Sequence, residues 1–424
     1  MYTFLSIPLI PYFGLVKGYK FILMLIILFI ISVVFYKIFI LRKIQLSKEI
    51  KKLIILFLGI ITWMMFSTFY NMVITDIPFS YADMSEFFRP VLLMSVILGF
   101  YLVSQSVLLR SDISYISLII IRSIIIISII NFSMTFFPYI RVEPFSTFAN
   151  YFGEGPIYSA GYASYRAFGI IGQPGKEAIF SAMLIFFSII LLQEKRLTTL
   201  LAISIILNFI AIILTFSRTS LISLIFFVFL YGILDSRKTL VKSIFIILII
   251  FFMFDYYFDL SSFGQLFYRG MGHGSLSTLG HRMHLKEWAL DTISQNLGTL
   301  LVGIGPCKDY IGQFTTSYAF DLTLRNPDSS FTVWYLRYGI IGLAIEYLPY
   351  LYIVYLSIKS YSKSYYAKAI MWTNIMLLFI SFFDPPYHEP KTVIFLWLLN
   401  IVFLVQLGYV KNSIMPLKSK TVIQ

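Results

Sequence analysis

Six arginines stand where apolar chain makes them costly. They are Arg89 in SEFFRPVLL, Arg166 in YRAFGIIGQPGKEA, Arg218 in LTFSRTSLI, Arg269, Arg282 in GHRMHLKEW, and Arg325 beside NPDSS. An arginine at the centre of a membrane helix costs about 2.5–3.5 kcal/mol on insertion scales, and less near the interface, where it snorkels to the headgroups. Headgroup contact explains any one of them. It explains six less well, because a guanidinium also grips phosphate oxygens through two parallel bonds. The set therefore points to a membrane-level pocket for a phosphorylated, lipid-anchored ligand. Arg89, Arg166, Arg218 and Arg282 are expected to converge on it.

Other residues fit the same chemistry. After Arg166 comes the Gly172–Gly175 break, with Pro174 placed to open a helix. A helix N-terminus carries free N–H groups and a partial positive charge, and Lys176 adds to that field. Tyr139, Tyr151, Phe152, Tyr158, Tyr162 and Tyr165 offer ring faces and hydroxyl tips suited to sugars or to an interfacial belt. In GHRMHLKEWALD, Arg282 and Lys286 form a cationic ridge, with His281 and His284 nearby. H-x-x-H lacks a strong zinc pattern, so a polar helix lying on the bundle is the simpler reading there. Asp328, just ahead of a long apolar run, is a carboxylate able to accept a proton, or else a helix cap. Gly339 and Gly342 within that run suit close helix packing.

These residues need a scaffold, and the composition defines it. Of 424 residues, 59% are hydrophobic and 12% charged, about half the charge of a soluble domain. Twelve apolar spans can be drawn, near 3–16, 19–41, 53–73, 90–109, 113–137, 176–192, 197–215, 219–234, 240–258, 331–357, 369–383 and 392–410. The strand alternation of a membrane barrel is absent, so the expectation is an all-α polytopic membrane protein, residues 1–424 forming one integral unit. A run of 27 residues at 331–357 suggests a long tilted helix. Arg122 is the clearest charge inside a span.

The net charge of +13 falls mostly in short loops. Lys48, Lys51, Lys52, Arg110, Lys195, Arg196, Arg237, Lys238, Lys359, Lys363 and Lys368 share one side if the spans alternate. By the positive-inside bias that side is cytoplasmic, with both termini on it, and no nucleic acid is needed to explain the charge. The segments 138–175 and 259–330 are then large outer loops. The single cysteine, Cys307, excludes a disulfide within the chain.

Four stretches, RAFGIIGQPGKEA, LTFSRTSLISL, GHRMHLKEWALDTISQNLGTLLVGIGP, and Asp328-Ser329 followed nine residues later by Gly339-Ile-Ile-Gly342, resemble the O-antigen polymerase and ligase superfamily of bacterial envelope polysaccharide assembly. With the span layout, the resemblance covers nearly the whole chain. It implies a GT-C-like glycosyltransferase of the bacterial inner membrane, acting on undecaprenyl-diphosphate-linked glycans as donor and acceptor at the periplasmic face. It implies no metal or cofactor, and it implies a chain-length regulator and a flippase as pathway partners. Arg166, Arg218, Arg282 and Asp328 would be catalytic; Arg89, Arg269, Lys176, His281, Tyr165 and Arg325 would bind substrate. Ligases carry a histidine where this chain has Asp328, which favours polymerase over ligase. A flippase or transporter, the rival class, would bury charges deep in several spans.

Overall fold

The computed structural model describes residues 46–74, 81–108, 113–143, 145, 167, 169–215, 217–235, 287, 290–291, 293–294, 296–306, 329–384 and 390–414. The expected spans near 3–16, 19–41 and 240–258 lie outside the described residues. So do Tyr165, Arg166, Arg269, His281, Arg282, Arg325 and Asp328.

The described chain is helical, with no strand among the described residues. The elements are α1 (Lys48–Ile74), α2 (Tyr81–Leu108), α3 (Ile113–Tyr139), α4 (Pro174–Leu191), α5 (Thr198–Thr215), α6 (Arg218–Leu234), the short α7 (Leu297–Val302), α8 (Ser330–Lys359), α9 (Tyr365–Ile380) and α10 (Pro390–Ile414). Among the described residues, five helical stretches, in α1, α3, α4, α5 and α8, are long and apolar enough to cross a membrane, and shorter apolar helices lie in α2, α6, α9 and α10.

Helix starts follow local chemistry. Pro174 opens α4 after the extended Gln173, where its missing N–H costs nothing. Asn296 caps α7, its side chain accepting from the Thr299 N–H at 2.8 Å. At α8 the cap is Ser329 rather than Asp328: the Ser329 hydroxyl accepts from the Thr332 N–H at 3.3 Å. The start of α8 also sits on the end of α9. The Phe331 N–H donates to the Ser381 carbonyl at 3.1 Å and the Ser330 N–H to the Asp384 carbonyl at 3.4 Å. Free donors of one helix thus meet free acceptors of another, which satisfies both in a medium without water.

The packing sorts helix ends into two sets. At one end, Lys368 pairs with Asp235 at 3.0 Å, joining the start of α9 to the end of α6. Lys52, in the second turn of α1, lies over the Tyr352 ring near the end of α8. At the opposite end, the Ala167 N–H donates to the Leu214 carbonyl at 2.9 Å, and Gly169 lies against Thr135 and Glu177. The basic loops around 48–52, 192–198 and 359–368 therefore gather at one end of the bundle, as the charge pattern predicts. Between the ends, rings interlock: Phe186 with Tyr231, Tyr231 with Trp372, Phe187 with Tyr366, and Trp397 with both Phe57 and Tyr350.

Candidate functional site

Two expectations about α8 change. The run is not one long tilted helix: Gly339 has φ of 66° and ψ of −171°, so the helix is broken there. Nor does Gly339 serve helix-to-helix packing. It meets the backbone of the last turn of α7. A Cβ at Gly339 would overlap the Leu301 carbonyl, and one at Gly303, whose φ is 80°, would overlap the Arg337 carbonyl. Gly342 does fit the packing expectation, since a Cβ there would press on the Trp63 indole at 2.7 Å.

A break inside a membrane helix frees carbonyls that must find donors. The segment after α7 supplies two. The Ile304 N–H donates to the Leu336 carbonyl at 3.1 Å, and the Gly305 N–H to the Arg337 carbonyl at 2.8 Å. Further donors, to carbonyls of α8 and of the end of α7, come from one stripe of α1, where Trp63, Ser67 and Asn71 recur every fourth residue and so share a face. Trp63 Nε1 donates to the Tyr338 carbonyl at 3.0 Å. The Ser67 hydroxyl donates to the Val302 carbonyl at 2.7 Å, and Asn71 Nδ2 to the Gly303 carbonyl at 3.0 Å. Three elements are tied into one backbone knot.

The knot carries charge on its far side. Arg337, 2% exposed, points Nη1 to Glu86 Oε2 of α2 at 3.1 Å. Glu346, 7% exposed and beyond the break, feels the charges of both Arg89 and Glu86. Glu86 and Arg89 are three residues apart on α2, hence on one face. Pro90 follows them inside the helix and has no N–H to return to the Glu86 carbonyl. The Nη2 of Arg89 is buried and meets no hydrogen-bond partner among the described residues. Such a donor is expensive to leave unmet, about 1–3 kcal/mol and more for a charged group.

Arg89 was expected at a span edge, near residue 90. The helix instead starts at Tyr81, so Arg89 lies in its third turn. The charge of Glu346, which Arg89 feels, lowers the cost of that depth. Sequence reading passed over Glu86, Arg337 and Glu346. The available signal was Glu86-x-x-Arg89 at helical spacing and an arginine two residues before Gly339. Conversely Arg122 is exposed on α3 beside the exposed Ile126 and lines no interior path.

The mouth of α4 also differs in detail from its expected form. Lys176 is half-buried there, but the next residue, Glu177, is fully buried and was not foreseen. Its carboxylate accepts from the Ile171 N–H at 3.0 Å and from the Ser181 hydroxyl at 3.2 Å. The chain thus brings its own anion to this helix N-terminus. Deeper in, Asn131 Nδ2 donates to Ser181 Oγ at 2.9 Å and to Asn208 Oδ1 at 3.2 Å, and Ser204 bonds Ser128. This polar ladder ties α3, α4 and α5 together. Arg218 is the first residue of α6, and its side chain is outside the described set. Its chain neighbourhood meets that of Arg166: Leu214, four residues before Arg218, bonds the N–H of Ala167, which follows Arg166.

The bundle is that of a helical membrane protein, and Glu86, Arg89, Arg337 and Glu346 gather around its broken helix. No family model, curated protein or solved structure matches the chain.

Proposed function

We propose that the protein polymerises undecaprenyl-diphosphate-linked oligosaccharide repeats, as O-antigen, capsule or exopolysaccharide, at the outer face of the bacterial inner membrane. One observation supports this most: the half-buried Arg89 holds a buried terminal nitrogen that meets no acceptor among the described residues, beside the broken α8 and at the end of the bundle opposite the basic loops. A diphosphate oxygen would accept its hydrogen bond. In the reaction the acceptor hydroxyl attacks the anomeric carbon of the donor glycan. The bond to the lipid diphosphate breaks and the diphosphate leaves with the electron pair. Arg166, Arg218 and Arg282 would stabilise its growing charge, and Asp328 would take the hydroxyl proton. Arg269, Arg325, Lys176, Tyr165 and His281 would hold donor and acceptor. Electrostatic stabilisation of this kind is usually the largest catalytic term.

A second reading has its own observation. Glu86 and Arg89 on α2, Glu177 on α4, and Arg337 and Glu346 on α8 are all charges inside helices. Charges in several spans are the pattern expected of a flippase for the same anionic lipid. Deleting the gene and resolving envelope polysaccharide on a gel separates the readings. Polymerase loss leaves single repeat units on the finished lipid. Flippase loss leaves lipid-linked repeats inside the cell, and ligase loss leaves no capped lipid. In a complemented strain, Arg89→Gln is expected to shorten the polymer ladder while the protein level holds.

A further inference from the structure

We propose that Glu86 and Arg337 form a positioning pair that presents the Arg89 guanidinium to the diphosphate, with Arg337 itself fixed by the backbone knot. This rests on the reading of the substrate as an isoprenoid diphosphate. The chain of contacts runs in one direction. The Ile304 and Gly305 N–H groups, Ser67 and Trp63 hold the Leu336, Arg337 and Tyr338 carbonyls, so the backbone carrying Arg337 cannot turn. Its guanidinium then fixes Glu86 at 3.1 Å. Glu86 lies one helical turn before Arg89 on α2, in a helix that Pro90 deprives of a backbone bond at that turn. The pair replaces the missing backbone restraint. On the other side of the break, Glu346 stands within electrostatic reach of Arg89. Charged groups from both halves of α8 thus reach the surroundings of Arg89, whose Nη2 meets no acceptor among the described residues.

A residue that touches the ligand and one that only aligns Arg89 respond differently to conservative change. Lysine at 337 keeps the ion pair with Glu86 but loses the guanidinium fork. The test uses the full chain in lipid nanodiscs, with farnesyl diphosphate as probe and farnesol as the uncharged control. Arg89→Gln should weaken farnesyl diphosphate binding at least tenfold and leave farnesol unchanged. Glu86→Gln and Arg337→Gln should each weaken it about 5- to 30-fold, and Arg337→Lys should stay within threefold of the parent. A single change that strands a buried charge can unfold the protein, so the double variant Glu86→Gln/Arg337→Gln is included. It removes both charges together, and it should fold yet bind as poorly as the singles. If that folded double variant binds within twofold of the parent, the positioning role is overturned. If Arg337→Lys fails as badly as Arg337→Gln, Arg337 contacts the ligand and the role is likewise overturned. If the parent itself does not prefer farnesyl diphosphate to farnesol, the substrate reading fails, and does so independently of the variants.

Discussion

Two regions of the bundle bury polar groups in opposite ways. Around α3, α4 and α5 the helices are unbroken, and the ladder of Asn131, Ser181, Asn208, Ser204 and Ser128 is neutral, with Glu177 at its mouth. Around α1, α2, α7 and α8 the backbone itself is broken, Arg337 and Glu346 are buried with the half-buried Glu86 and Arg89 beside them, and the Arg89 Nη2 meets no acceptor among the described residues. Neutral side-chain bonds between membrane helices average about 0.6 kcal/mol, reaching roughly 1.7. That suits glue. Buried charges and backbone irregularity cost more, and membrane proteins retain them where a cavity or ligand uses them. The contrast teaches where to look: the first region is built as structural glue, and the second is where the proposed ligand would bind.

The largest effect should come from the knot. Gly339→Ala and Gly303→Ala each combine a positive φ with backbone overlap. Strain and overpacking together predict a loss of about 2–6 kcal/mol, visible as collapse of the monodisperse peak in detergent chromatography. Normal folding of Gly339→Ala would erase the distinction between the regions.

Glu177→Ala should follow, at about 1–3 kcal/mol, because it strips the acceptor from the buried Ile171 N–H. Thermal unfolding of the purified protein measures this. The expected signature is a lowered midpoint with accelerated proteolysis near residue 170. A smaller shift, about 1 kcal/mol, is expected for Asn131→Ala, which takes two bonds from the ladder. The polymer ladder of that variant should stay at full length once the protein level is matched. Shortened polymer at equal level would move the functional site toward α3 and α5.

Least affected should be Arg122→Gln. The side chain is exposed on α3, and surface changes of this type usually stay within about 0.5 kcal/mol. Measurable loss of polymer in this variant would place a functional surface on α3 and weaken the case for an interior site.

Much of the scaffold was legible in advance. Nine of the helices fall where apolar runs predict them, and the basic loops gather at one end as the charge bias requires. Hydrophobic length and loop charge are local properties, so a sequence displays them directly. Arg89 was conspicuous beside an apolar run, but its place in the third turn of α2 was not foreseen. The errors cluster where a distant partner changes a local rule. Apolar length alone makes 331–357 a continuous helix, but the Ile304 and Gly305 N–H groups satisfy the carbonyls that a break releases. Asp328 was a reasonable cap by residue type, yet Ser329 has the geometry.

The sequence by itself determined that this is a helical membrane protein, which loops share an end, and that arginines lie in and beside its apolar runs. Only the tertiary structure decided that α8 is broken at Gly339, that Arg337 meets Glu86, and that Arg122 points outward. The physical reason is separation along the chain. Burying a charge or breaking a helix in an apolar medium is permitted only by a partner brought close in space, and that partner stands well beyond the segment itself, as Ile304 does from Leu336 and Glu86 from Arg337. Hydropathy and helical period report what a segment would do alone, and they are silent about the distant group that changes its cost.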